Sequence, residues 1–244
     1  MKIGILICGK PTKNFINKFG DCGKIYKDFL SSSQENNFRY QYYNCYEGKF
    51  PDKLEISICD CFMITGSPHS VYDNLEWINK LKELVRYFDN IKKKMIGICF
   101  GHQLIAAALG CEVKKNTKGW EVSRCRIELN KLGQSLLKKK AINHNDNYLY
   151  IHQMHKDIVS DINEDSGLEI FSYNDMCNNQ GMIKENHILT FQGHPEYFAG
   201  IIETLLNQRK NIIDKMIVSS GIERCHWYTN KGILLEIITN FIYN

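Results

Sequence analysis

Gly97-Ile98-Cys99-Phe100-Gly101 sets one thiol between two glycines, where an apolar run, Met95 to Ile98, gives way to a helix-like run, Leu104 to Leu109. A thiol in a G-x-C-x-G turn between strand and helix is the cysteine form of a nucleophile elbow. The sharp turn lifts the side chain out of the sheet, and Gly97 and Gly101 remove side chains that would block it. The free amides and positive end of the following helix then point at the sulfur and favour the thiolate. The Phe100 N–H would face the oxygen of a tetrahedral intermediate. A single cysteine also reads as a small buried hydrophobe. The other nine lack the glycine context, and Cys8, Cys59 and Cys61 sit in strand-like runs expected to be core.

A thiol nucleophile needs a base, and the base needs an orienting group. Of the eight histidines, His194 stands in Phe191-Gln192-Gly193-His194-Pro195-Glu196-Tyr197, just after a strand-like run. Pro195 biases His194 toward extended backbone, where residues two apart project to the same side, so Glu196 can fix the imidazole. The same motif also reads as a turn with a surface histidine and glutamate. His102 falls in the first turn of the helix after Cys99 and is expected to pack or to contact substrate. His69, His144, His152, His187 and His226 show no constellation and are read as surface or structural.

The elements that must hold these groups alternate through the first half of the chain. Continuous apolar runs at Ile3 to Cys8, Ile58 to Ile64 and Met95 to Ile98 read as strands buried on both faces, with Cys59 and Cys61 on one side of the second. Helical patterns lie around Lys24 to Ser31 and across Trp77, Ile78, Leu81, Leu84, Val85 and Phe88, the latter capped by Asp73 or Asn74. Phe38 to Tyr46 is extended, Thr65-Gly66-Ser67-Pro68 is a turn, and Gly110 ends the helix after Cys99. Alternating strand and helix signals predict a parallel sheet covered on both sides. In the second half, Val113 to Lys115, Glu121 to Leu129, Leu168 to Tyr173, Met182 to Lys184 and Ile188 to Phe191 read as shorter strands. Asn178 to Gly181 reads as a loop, Ile201 to Val218 and Ile233 to Ile242 as helices, and 131–147 as an exposed insertion.

Composition narrows the function classes. The 244 residues carry a net charge of +4, too weak for a nucleic-acid partner, and the runs at Lys92 to Lys94 and Lys138 to Lys140 are expected to be solvated edges. The ten cysteines show no paired spacing and no CxxC, which argues against a disulfide framework and a zinc site. No stretch approaches a membrane span, and the apolar N-terminus is too short for a signal peptide. A single domain over 1–244 in a reducing cytoplasm is the expectation.

Together the motifs resemble the class I glutamine amidotransferase superfamily. Thr65-Gly66-Ser67-Pro68 resembles its oxyanion loop, commonly Gly-Gly-Pro; Gly97 to Gln103 its nucleophile segment; Gly193-His194-Pro195-Glu196 its His-x-Glu segment; and Met154-His155-Lys156-Asp157 its Ser-His-x-Asp loop. The resemblance implies an α/β fold of flavodoxin-like type: a mainly parallel open sheet flanked by helices, with additional antiparallel strands. It implies Cys99 as nucleophile, His194 as proton shuttle, Glu196 as its orienter, and the backbone amides of Ser67 and Phe100 as oxyanion hole. Gly66, Gln103, Met154 and His155 would contact substrate, and neither a metal nor an organic cofactor is implied. Ser67 replaces the loop's second glycine, tolerable if its φ is allowed. Met154 replaces the family's serine, which bears on how free glutamine would fit.

Of the 244 residues only 48 follow Glu196, too few for a synthetase domain. The chain would therefore dock on a separate synthase or act alone. Residues 65–72, Trp77-Ile78 and Lys118-Gly119-Trp120-Glu121-Val122 resemble stand-alone members similar to the plant γ-glutamyl peptidases. The leading expectation is hydrolysis of a γ-glutamyl peptide of the glutathione type, or of glutamine. The alternatives are a glutaminase subunit passing ammonia to a synthase, and a non-catalytic redox-sensing or binding protein with Cys99 as a reactive thiol.

Overall fold

The computed structural model describes residues 1–32, 37–139 and 146–244. In chain order its elements begin with β1 (Lys2–Ile7), α1 (Lys13–Phe19), α2 (Cys22–Leu30), β2 (Arg39–Asn44), α3 (Lys53–Ile58), β3 (Cys61–Ile64), α4 (Glu76–Asn90), β4 (Lys94–Ile98) and α5 (Phe100–Ala108). There follow β5 (Glu112–Lys115), β6 (Glu121–Leu129), α6 (Lys131–Lys139), β7 (Tyr148–His155), β8 (Asp157–Asp161), β9 (Glu169–Tyr173), β10 (Gly181–Lys184) and β11 (Ile188–Phe191). Three helices close the chain: α7 (Ala199–Arg209), α8 (Lys215–Arg224) and α9 (Lys231–Tyr243).

Nine strands form one sheet in the order β2-β1-β3-β4-β11-β10-β9-β6-β7, and β5 pairs with β8 in a separate ribbon. From β2 to β11 every pairing is parallel, and from β11 to β7 every pairing is antiparallel. This is the expected mainly parallel sheet extended by antiparallel strands.

The inner parallel strands are continuous apolar runs because both faces are covered. On one face Ile3, Ile5, Ile96 and Ile98 pack with Tyr26 and Phe29 of α2 and Ile238 of α9. On the other, Leu6, Phe62 and Met95 pack with Ile78, Leu81 and Phe88 of α4 and Leu104 of α5. A third cluster joins Ile201, Ile202 and Leu206 of α7 to Val122 of β6, Met154 of β7 and Phe15 of α1. That cluster lies beside the carboxyl ends of the parallel strands and walls the site described below.

Several expectations are corrected. Residues 131–139 of the expected insertion are a helix, α6, whose first turn is held by Asn130 Oδ1 accepting from Gly133 N at 3.0 Å. Residues 140–145 of that insertion, with Lys140 and His144, lie outside the described residues. The long helix expected over Ile201 to Val218 is two: α7 ends at Arg209, and Asp214 caps a new start by accepting from Met216 N at 2.8 Å. Neither Asp73 nor Asn74 caps α4; Leu75 stands there, and Asp73 instead accepts from Ser70 N at 3.0 Å within the preceding turn. Ile58 ends α3, whose capping box is Asp52 with Glu55, so Cys59 precedes the strand that Cys61 begins. The expected basic edge at Lys92 to Lys94 is engaged: Lys94 Nζ donates to the carbonyls of Phe241 and Ile242 at 3.0 Å, holding the end of α9. Missing from the sequence reading are α1, α3, β7 and β8.

Candidate active site

Cys99 sits between β4 and α5 with φ 53 and ψ −100, a conformation that L-residues adopt only under constraint. Its N–H donates to Phe191 O at 2.8 Å, and its carbonyl accepts from Gln103 N at 3.1 Å. The flanking glycines are required by close packing. A Cβ on Gly97 would lie 2.6 Å from Gly101 O, and one on Gly101 would lie 2.3 Å from Ile64 O. So α5 rises directly off β3 and β4 with the thiol at its amino end, as the G-x-C-x-G spacing predicts.

β11 pairs in parallel with β4, with Phe191 opposite Ile98, so the chain after β11 emerges beside Cys99. His194 N donates to His152 O at 2.7 Å, which fixes the backbone there. Its ring donates from Nδ1 to Glu196 Oε1 at 2.7 Å, leaving Nε2 for the cleft, and stacks on Tyr197 with centroids 3.9 Å apart and planes 2° off parallel. His194 and Glu196 are both buried. Burial by itself lowers the His194 pKa, but the Glu196 carboxylate and the Cys99 sulfur on either side outweigh it and hold the ring well above the ordinary imidazole value. The structure thus brings Cys99, His194 and Glu196 together.

The turn after β3 completes the arrangement. A Cβ on Gly66 would lie 2.9 Å from His194 Cε1 and 3.8 Å from Cys99 Cβ, so glycine lets the backbone approach both. Ser67 keeps a φ open to any L-residue, and its Oγ accepts from His69 N at 3.1 Å. Phe100 opens α5, where first-turn amides have no carbonyl four residues back. The turn is anchored from below: Thr65 Oγ1 accepts from Cys8 N at 3.0 Å, and Gly66 N donates to the Tyr26 hydroxyl at 3.3 Å.

Two hollows meet at Cys99. One, of about 180 Å³, is bounded by Gly9, Tyr26, Gly66, Cys99, Glu196 and Arg209. The other, of about 430 Å³, is bounded by Ser70, Phe100, Gln103, Lys115, Lys156 and Arg209. Met154 and Ser67 border both. Gln103 reaches the second hollow, but its Nε2 is engaged by Asp157 O at 2.8 Å and Gln192 Oε1 at 3.0 Å. His155 lies there too, with Nε2 donating to Glu121 Oε2 at 3.1 Å and Nδ1 facing Asp157 O at 3.0 Å. The Asp157 carboxylate accepts from Ser70 Oγ at 2.5 Å and the Tyr72 hydroxyl at 3.0 Å, tying β8 to the turn after β3. His102 does not face these hollows; it packs against Thr190 Oγ1 at 2.9 Å, and burial pushes its pKa down to about 3.

The sequence reading missed Tyr26, Tyr197 and Arg209. Tyr26 lies on a helix outside the motifs. Tyr197 follows the His-x-Glu motif directly, and an aromatic next to a candidate base was the signal for it. Arg209 ends a helix, where a basic residue ordinarily complements the helix dipole. Its Nη1 is buried with no hydrogen-bond partner, and among the described residues no carboxylate pairs with it, with Lys115 or with Lys156. Metal-capable donors also gather at Glu203, Cys225 and His226, within 4.8 Å of one another; none of them borders either hollow.

The family model described as glutamine amidotransferase class-I matches residues 20–222. A glutamine amidotransferase-like protein of Schizosaccharomyces pombe is 33% identical over 84% of this chain and 82% of its own length. Gamma-glutamyl peptidase 3 of Arabidopsis thaliana is 30% identical over 78% of this chain and 76% of its own. A glutamine-hydrolysing GMP synthase subunit of Sulfurisphaera tokodaii is 33% identical over 56% of this chain and 67% of its own. Among solved structures, a glutamine amidotransferase from Thermotoga maritima shares the fold with a TM-score of 0.73 at 15% identity, covering 100% of this chain and 99% of that one.

Proposed function

Because this chain belongs to the class I glutamine amidotransferase family, we propose that it is a cysteine-dependent γ-glutamyl hydrolase acting on a γ-glutamyl peptide. The observation that carries the reading is the buried His194–Glu196 pair set against Cys99 at the strand-to-helix elbow. In this reading the Cys99 thiolate attacks the γ-carbonyl carbon. The carbonyl oxygen takes the negative charge and is met by the N–H groups of Ser67 and Phe100. The tetrahedral intermediate collapses as the His194 imidazolium gives its proton to the leaving nitrogen, freeing the amine and leaving a glutamyl thioester. Water, losing a proton to His194, then attacks the thioester; glutamate leaves and the thiolate is restored. Glu196 keeps Nδ1–H in place through both halves.

Substrate placement follows from the two hollows. One takes the glutamyl part and the other the leaving group. Arg209, unpaired at their junction, supplies a fork of donors for a substrate carboxylate. Lys115 and Lys156 make the leaving-group side basic, which favours a peptide ending in a free carboxylate over ammonia. Gly66, Gln103, Met154 and His155 contribute walls and backbone. The reading takes residues 1–244 as one domain working in a reducing cytoplasm, where the thiol persists; among the described residues no helix is long and apolar enough to cross a membrane.

The test is glutamate release from glutathione and, separately, from glutamine, with Cys99→Ser as control. Release from glutathione that the variant lacks supports the peptidase reading. Release from glutamine alone refutes it and favours the second reading, a glutaminase subunit feeding a synthase, which the likeness to the GMP synthase subunit supports.

A further inference from the structure

Tyr26 lies on α2, outside every motif that marks the site, yet it is buried to 3% exposure directly beneath it. Its phenol oxygen accepts the Gly66 N–H at 3.3 Å. The carboxylate of Glu196 has one oxygen bonded to His194, while the other, Oε2, is buried without a partner among the described residues. A phenol has one proton, and among the described residues the Tyr26 hydroxyl donates it in no hydrogen bond, while Tyr26 and Glu196 border the same hollow. We propose that Tyr26 is a positioning residue that couples the oxyanion loop to the catalytic triad: its oxygen holds the Gly66 amide while its proton serves the second oxygen of Glu196. The inference rests on the triad reading above.

Both ends of this bridge bear on chemistry. With Gly66 N–H held, the peptide unit before Gly66 is fixed, and Thr65 Oγ1, donating to Gly66 O at 3.1 Å, holds the next unit, which carries the Ser67 N–H. With Oε2 occupied, the Glu196 carboxylate cannot turn away from Nδ1 of His194. An unsatisfied buried carboxylate oxygen is costly, so the bridge also removes a defect. The phenol stays protonated as the role requires: burial first, and then the charge of Glu196, push its pKa well above the ordinary value. The same charge is felt by Cys22 of α2, by Tyr197 and by Lys231 of α9, and burial, followed by His194, lowers the pKa of His152 of β7. Of these groups and Tyr26, only Tyr26 has a side chain hydrogen-bonded to the Gly66 amide.

The experiment needs no substrate. The rate of Cys99 alkylation by iodoacetamide, followed by mass spectrometry of the Cys99 peptide, is measured from acid to alkaline pH for the native protein, Tyr26→Phe, Glu196→Gln and the double variant. Thiolate formation depends on the imidazolium, and the imidazolium on a fixed carboxylate. The Tyr26→Phe profile should therefore move to higher pH by about half a unit, Glu196→Gln further, and the double variant should match Glu196→Gln. Where glutamate release is measurable, kcat in Tyr26→Phe should fall about tenfold with KM nearly unchanged. If Glu196→Gln moves the profile and Tyr26→Phe does not, the Tyr26 inference alone fails. Shifts that simply add overturn it as well. If Glu196→Gln leaves the profile unmoved, the triad reading fails and takes the inference with it. Hydrogen exchange in the native protein gives a measurement free of any folding defect: the Gly66 amide should be protected, and rapid exchange overturns the bridge.

Discussion

In the parallel half of the sheet, β3, β4 and β11 end side by side, and the turn at Gly66, the thiol of Cys99 and the imidazole of His194 come off those ends in order. In the antiparallel half, β6 and β7 contribute no candidate for bond making. They offer Met154, His155 and the buried carboxylate of Glu121, which accepts from His155 at 3.1 Å, Gln180 at 2.8 Å and Asn174 at 2.5 Å. Groups on one side are placed by backbone: an elbow, a glycine contact, a strand end. Groups on the other are placed by side chains bonded to one another across long stretches of sequence. The parallel half is therefore expected to set rate, and the antiparallel half to set binding and local stability.

The largest effect that follows is at the elbow. Cys99→Ser should cut glutamate release by about 10⁴-fold or more, since removing a nucleophile removes the covalent route; retention of even a tenth of the native rate would remove the parallel half from the chemistry. Glu196→Gln should lower kcat by roughly 10²- to 10⁴-fold with the fold intact. Its pH profile carries a sign. In the native protein the charges flanking His194 raise its pKa, so the alkaline loss of activity, where the proton for the leaving group runs out, should lie above the ordinary imidazole value. Removing the carboxylate charge should bring that limb down. An alkaline limb that stays where it is would show that Glu196 does not act through His194.

The same contrast explains what could be read from the chain. Cys99, His194, Glu196 and the Gly66-Ser67 turn stand in short contiguous motifs, because a turn of backbone places them and turns are written locally. The continuous apolar runs gave β1, β3 and β4 for the same reason, since burial on both faces leaves little room for polar residues. Tyr26 and Arg209 carry no local signature: each reaches the site only because α2 and α7 dock where they do. β7 escaped notice because its buried face holds Gln153 and His155, whose partners, Gln180 and Glu121, are distant in sequence. The break between α7 and α8, Lys210 to Asp214, holds no glycine or proline to mark it, and only the cap shows why the helix restarts.

Between the halves lies Arg209, and it sharpens the comparison because it borders both hollows. If it binds a substrate carboxylate, Arg209→Ala should raise KM by roughly 10- to 100-fold, the worth of a charge-assisted fork, while kcat changes little. Arg209→Lys should recover only part, because an ammonium cannot offer the paired donors. A loss confined to kcat would instead place this residue with the reacting groups.

The smallest effect belongs to the antiparallel network. Glu121 is buried, which by itself raises its pKa, but His155, Asn174 and Gln180 outweigh that and hold it below the ordinary carboxylate value. A depressed carboxylate contributes stability that is present above its unfolded pKa and lost as pH falls through the folded one. Glu121→Gln keeps the shape but replaces an acceptor oxygen with an amide donor facing either Asn174 or both His155 and Gln180, leaving the donor or donors there unmatched. The expected cost is about 1–3 kcal/mol, or a few degrees in Tm at neutral pH. The variant should also lose part of the native protein's acid sensitivity, because the group responsible for that part is gone. Should Glu121→Gln instead lower kcat as far as Glu196→Gln does, with Tm unchanged, the division between a reacting half and a binding half would not hold, and His155 would have to be counted among the groups that act on the substrate.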